Sequence, residues 1–269
     1  MSFYQRLNGA WAASQSNLCV GLDPDINKIP TTFASRQNGV AEFCTAIIDA
    51  TADLVCAFKP QIAYFAALGA ENQLEQVCDY IRSTYPRVVL ILDAKRGDIG
   101  PTAANYATEA FSRYHADAVT VNPYLGTDSV APYFEAGGAV IGLCRTSNPG
   151  GDDLQMLESE GEPLYVHVAR MIRDKWSALG ECGLVVGATY PAELQRVRNI
   201  VGDLPILVPG VGAQGGSAAE VLAAGSTSDG HGIIVNSSRA VLYASPNADF
   251  AEAARSVALT TRDECRLTI

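Results

Sequence analysis

Three charged side chains, Asp93, Lys95 and Asp98, lie within six positions of one another just after the apolar run Val88 to Leu92. That run is β-branched and aliphatic, the composition of a buried strand. Side chains alternate along a strand, so Asp93 and Lys95 share one face before the chain turns away through Arg96 and Gly97. A carboxylate and an ammonium in one enclosed space can hold a proton or stabilise a developing charge. The plainer reading is a solvated salt bridge at a strand end. What weighs against it is that polar chemistry recurs at other strand ends along the chain.

The elements that would position these groups alternate steadily. Short apolar runs occur at 18–22, 54–58, 88–92, 118–121, 139–144, 183–187, 206–208 and 232–235, eight in all. Between them lie patterns with helical spacing, clearest in Leu74, Val77, Cys78 and Ile81 after Glu71. Further helices are expected to begin near Val40, Thr102, Asp128, Pro163, Pro191 and Ser217, where the residue types suit a first turn. No two-residue hairpin joins any strand pair. The alternation therefore predicts an α/β protein, a single (β/α)8 TIM barrel of parallel strands, with an open doubly wound sheet as the alternative. No repeat or linker interrupts it, so residues 1–269 read as one catalytic domain, and the polar insertion GDDLQMLESEGEP at 151–163 reads as a mobile loop.

Barrel active sites lie where strands end, which makes those positions a set. They are Asp23, Lys59, Asp93 with Lys95, Asn122, RTSNPG at 145–150, Thr189, PGVGAQGG at 209–216 and NSSR at 236–239. Two lysines and, with Asp98 counted, three aspartates converging on one mouth are costly to desolvate unless they neutralise one another. Gly210, Gly212 and Gly215 match G-x-G-x-x-G, but a dinucleotide fold needs further βα units after it, and one strand remains. The simpler physics is an anion site: backbone N–H groups and a helix start near Ser217 facing a phosphate, with Arg239 nearby. A tight turn without a ligand is the alternative.

Composition narrows the partners. A net charge of −10 with no Lys/Arg cluster argues against nucleic acid and against anionic membrane surfaces. No apolar run is long enough to span a bilayer, and MSFYQRLNGAW lacks the pattern of a secretory signal. Seven cysteines, an odd number without C-x-x-C, sit mostly in apolar runs and read as reduced core filler, which suits the cytoplasm. His115, His167 and His231 lack a second ligand at metal spacing, so no metal or redox cofactor is expected.

DAKRGDIGPT at 93–102 resembles the D-x-K-x-x-D-I-x-x-T signature of the orotidine 5′-phosphate decarboxylase family. GLDP at 21–24, FKP at 58–60, TSNPG at 146–150, PGVGAQGG at 209–216 and the closing arginine segment occur in that family's order, and the insertion and the NSSRAVLYA ending are similar to its larger bacterial subgroup. The resemblance implies a cofactor-independent decarboxylation of orotidine 5′-phosphate to UMP in a homodimer with shared sites. Lys95 would protonate C6. Lys59, Asp93, Lys95 and Asp98 would form a charged tetrad, with Asp98 and Thr102 reaching across the dimer. Asp23 would bind ribose, Ser147 the pyrimidine, and Pro209, Gln214 and Arg239 the phosphate end. Many relatives place the arginine directly after a glycine, whereas Asn236, Ser237 and Ser238 precede it here.

Three rival readings share these features. A magnesium-dependent sugar-phosphate decarboxylase of the same superfamily has the Asp-x-Lys-x-x-Asp pattern, but it uses acidic ligands near the end of strand two, where this chain has Lys59. A Schiff-base aldolase would use Lys95 as nucleophile. A phosphate-binding barrel without catalysis is the third.

Overall fold

A computed structural model describes residues 1–211 and 217–266 of the chain. Eight parallel strands close into a barrel: β1 Leu18–Leu22, β2 Ala57–Pro60, β3 Val89–Arg96, β4 Ala118–Val121, β5 Ala139–Arg145, β6 Cys182–Val186, β7 Ile206–Pro209 and β8 Ile233–Ser237. They follow one another in order around the ring, and β8 pairs with β1 to close it. The open-sheet alternative is excluded. Each apolar run anticipated from sequence overlaps a strand, although β2 begins at Ala57 rather than Leu54.

Period-two alternation sorts the barrel into two cores. Leu18, Val20, Leu22, Leu90, Leu92, Ile233 and Val235 face outward and pack with the surrounding helices. Cys19, Ala57, Val89, Ile91, Ala118, Leu207 and Ile234 form a separate cluster inside the barrel. The helix Phe3–Ser14 contributes Phe3, Leu7, Ala10 and Trp11 to that inner cluster, plugging the end from which the strands start. A reciprocal capping box between Ser2 and Gln5 starts this helix.

The same alternation fixes what the inner face carries at the other end. Two positions beyond Ala57 stands Lys59; beyond Val89 and Ile91 stands Asp93; beyond Ala118 stands Thr120; beyond Ile234 stands Asn236. Register keeps them level, with Gly21 opposite Lys59, Gln61 opposite Asp93, and Asn236 opposite both Cys19 and Pro209. Apolar layers thus fill the bottom of the barrel and polar side chains line its mouth.

The expected helices near Val40, Thr102, Pro163, Pro191 and Ser217 are Gly39–Thr51, Gly100–Thr108, Leu164–Met171, Pro191–Val201 and Ala218–Gly225. One expectation is corrected. Glu158–Ser159 and Glu162–Pro163 pair antiparallel across the two-residue turn Glu160-Gly161, both at positive φ, so a short hairpin does exist. It belongs to the insertion, which also holds the helical turn Asp152–Gln155. No described helix is long and apolar enough to cross a membrane.

Candidate active site

The mouth of the barrel centres on Asp93, buried at 5% exposure at the end of β3's inner face. Its Oδ2 accepts from Lys59 Nζ at 2.7 Å and its Oδ1 from Lys95 Nζ at 2.5 Å. The Thr120 hydroxyl donates to the same Oδ1 at 2.9 Å. One carboxylate therefore bridges two ammoniums, one sealed (Lys59, 4% exposed) and one with 46% of its side chain still open to the mouth.

Charge explains why this arrangement persists. Burial alone would raise the Asp93 carboxyl, but Lys59 and then Lys95 outweigh it and hold the group well below the usual carboxylate range. Burial would likewise lower Lys59, yet Asp93 first and Asp23 second push it above an ordinary lysine. A buried lysine without its carboxylate is an uncompensated charge, which costs about 3–5 kcal/mol. Asp93→Asn is accordingly expected to destabilise the fold by roughly that amount at pH 7 in urea denaturation. The deficit should shrink in acid. A carboxyl depressed in the folded state stabilises above its unfolded pKa of about 3.9, and that contribution is lost as pH falls below it toward the folded value. A deficit constant down to pH 2 would mean that the Asp93 charge is not what stabilises the fold.

Alternation alone does not account for Lys95. Its φ is +48°, in the left-handed region, and the β3–β4 register shifts between Leu92 and Arg96. Regular pairing stops here because the successive N–H groups of Ala94 and Lys95 both donate to Thr120 Oγ1, each at 3.0 Å. Thr120 thus holds the irregular turn and orients Asp93 at once. A non-glycine residue in this conformation carries a strain of order 1–3 kcal/mol, and such strain gathers at functional positions.

A cavity of about 150 Å³ opens beside this chain of charges, lined by Asp23, Lys59, Asp93, Pro209, Asn236 and Arg239 among others. Asp23 Oδ1 is buried with no hydrogen-bond partner in the structure as described. Arg239, exposed on the first turn of Arg239–Leu242, makes no ion pair among the described residues. Six of the sequence candidates, Asp23, Lys59, Asp93, Lys95, Pro209 and Arg239, thus surround one mouth. Ser147, partly buried after β5, packs against Gly187 at the end of β6. Gln214 lies outside the described residues.

Two candidates stand apart within the single chain. Asp98 accepts from its neighbour Ile99 N–H at 2.8 Å and does not join the Lys59–Asp93–Lys95 chain, and Thr102 is exposed on the helix Gly100–Thr108. Sequence reasoning missed Thr120, and it named Asn236 among the strand ends without a role, although Asn236 lines the cavity and accepts from the Cys19 thiol at 3.7 Å. For Asn236, a polar residue in the inward row of an otherwise apolar strand was the available signal. No cluster of His, Cys, Asp and Glu suited to a metal occurs among the described residues.

Known proteins are similar to this chain in sequence and in architecture. A protein named orotidine 5′-phosphate decarboxylase from Janthinobacterium sp. (strain Marseille) is 58% identical over 264 residues, covering 98% of this chain and 97% of its own. The solved structure of Leishmania donovani OMP decarboxylase is similar at a TM-score of 0.84 and 37% identity, with 100% of each chain covered. The L. donovani UMP synthase gives 0.85 and 40%, covering 97% of this chain and 56% of that one. Residues 16–255 match the family described as orotidine 5′-phosphate decarboxylase / HUMPS. With that match and those relatives behind the barrel and its charged mouth, the chain belongs to the orotidine 5′-phosphate decarboxylase / HUMPS family.

Proposed function

We propose that the chain decarboxylates orotidine 5′-phosphate to UMP without a cofactor, with residues 1–269 acting as one catalytic unit. The observation that carries this reading is the Lys59–Asp93–Lys95 chain, in which a carboxylate is kept ionised between two ammoniums at the mouth. Loss of carbon dioxide from an sp² ring carbon leaves an electron pair in the ring plane, where no π system can delocalise it. Fixed charge must supply the compensation. For the slowest reactions enzymes provide on the order of 20 kcal/mol, and preorganised electrostatics is the largest single source.

The roles follow from position. The half-open Lys95 ammonium faces the mouth, stabilises the pair developing at C6 and gives its proton there as carbon dioxide departs. Asp93 anchors that ammonium and stands against the substrate carboxylate, whose charge it disfavours before reaction. Lys59 keeps Asp93 ionised. A cation at the end of β2 also disfavours the rival sugar-phosphate chemistry, which needs acidic ligands for a divalent ion there. The Asp23 oxygen without a partner suits a ribose hydroxyl donor. Ser147 reads the pyrimidine.

The reading includes a homodimer in which Asp98 and Thr102 of the partner subunit complete each site. Its support is that neither joins the charged chain of its own subunit. Ile99, next to Asp98 in sequence, and Tyr124 and Leu125, on the segment after β4, are large exposed apolar side chains, as a subunit contact would use.

Turnover of orotidine 5′-phosphate followed by absorbance, unchanged by EDTA, is the direct test; no turnover, or turnover abolished by the chelator, would refute the assignment. The phosphate grip has its own. Arg239 borders the same cavity as Asp23 without an ion-pair partner among the described residues, so Arg239→Ala should weaken UMP by about one to two orders of magnitude while leaving uridine almost unchanged. Calorimetry on both ligands measures this. Equal weakening would mean that Arg239 serves the fold or the base pocket.

A further inference from the structure

The insertion after β5 returns to the strand end it leaves. Gln155, at the close of the helical turn Asp152–Gln155, accepts from Thr146 N–H at 2.9 Å and donates to Thr146 Oγ1 at 2.8 Å. Its Oε1 also accepts from Arg145 at 3.3 Å. Arg145 itself is 2% exposed, pairs with Asp152 at 2.6 Å and lies over the Tyr190 ring at 3.9 Å from its centre. A buried guanidinium fastened from two sides to one short turn is a costly device unless it fixes something.

What it fixes is the pair Thr146-Ser147, gripped on both sides. A Cβ on Gly151 would come within 2.9 Å of Thr146 Oγ1 and 3.0 Å of Gln155 Oε1, and a Cβ on Gly187 within 2.8 Å of Ser147 Cβ. Both glycines stand where a side chain would push the pair out of place. The cavity of about 150 Å³ is lined by Asp23, Pro209 and Arg239, to which the decarboxylase reading gives ribose and phosphate, and neither Thr146 nor Gln155 is part of that lining.

We propose that Gln155 is a positioning residue for base recognition, and that the insertion is the brace that sets Ser147 against the pyrimidine. This rests on the decarboxylase reading, which gives Ser147 that role. The brace acts through the Thr146 backbone, so its loss should be felt by ligands carrying the base and not by ligands lacking it.

The test compares UMP with ribose 5-phosphate by calorimetry. Gln155→Ala is expected to weaken UMP about tenfold, as for two lost hydrogen bonds, and to leave ribose 5-phosphate within about twofold. Gln155→Glu, which keeps the oxygen that accepts from Thr146 N–H, should restore most of the loss. Should Gln155→Ala fail to fold, Asp152→Ala removes the exposed end of the Arg145 tie and should give the same selectivity on a smaller scale. Equal weakening of both ligands, or unchanged UMP affinity, would overturn the proposal. A wild-type chain that holds UMP no more tightly than ribose 5-phosphate would overturn the decarboxylase reading itself.

Discussion

Lys95→Ala is expected to lower kcat/KM for orotidine 5′-phosphate by about four orders of magnitude or more while UMP binding stays measurable. Two losses combine in this one change. A positioned general acid contributes about 10²–10⁴-fold and a charge aimed at the developing carbanion about 10²–10³-fold. The ammonium reaches Asp93 from a backbone turn held by Thr120, and no other described cation on Asp93 has an exposed side chain. Binding should survive because the ribose and phosphate contacts lie on other strands. Steady-state kinetics with calorimetry on UMP decides it: activity above about a tenth of wild type, under ~1.4 kcal/mol of lost transition-state stabilisation, would remove Lys95 from the proton-donor role.

The second large effect is a recovery. Lys95→Ala and Asp98→Ala chains, each inactive alone, are expected to regain about a quarter of wild-type activity when mixed in equal amounts and allowed to exchange subunits. In a mixed dimer one site receives both defects and the other neither, and random pairing makes about half of the dimers mixed. The Asp98 carboxylate bonds to Ile99 N–H and leaves the charged chain of its own subunit alone, so its removal should not disturb that subunit's Lys59–Asp93–Lys95 geometry. If mass spectrometry verifies exchange and activity stays absent, each site is complete within a single chain.

The barrel was legible because its strands are apolar runs of the right length set between helical spacings, and the charged mouth because lysine and aspartate at strand ends are conspicuous. Boundaries were less so: Leu54 and Val55 are buried without being strand, since burial and not pairing makes them apolar. Thr120 could not be singled out, because threonine is an ordinary strand residue and its two roles depend on where β3 bends. The left-handed Lys95 was invisible for a related reason, as nothing in its residue type asks for that backbone. The helix Phe3–Ser14 was not anticipated although its capping box and apolar stripe were there to read, whereas Phe250–Glu264 buries mainly small alanines and offers a weak pattern. Gln155's return to Thr146 was beyond reach, because the path of an insertion is set by contacts outside it.

Trp11, on the helix that plugs the barrel, stacks on His231 at 5.1 Å, and Asn17 donates to Gly230 O across 213 positions of sequence. During synthesis the helix Phe3–Ser14 can therefore meet β2 to β4 early but finds its full seat only when β8 has followed them. Part of its apolar face and the unpaired edge of β1 wait until β8 has been made. Closure is a late, long-range event, the kind that folds slowly and exposes sticky surface meanwhile. A nascent chain stalled before β8 would carry a nearly complete set of side chains for the mouth and no means of holding the ring shut, so the quality of the barrel is decided when β8 arrives.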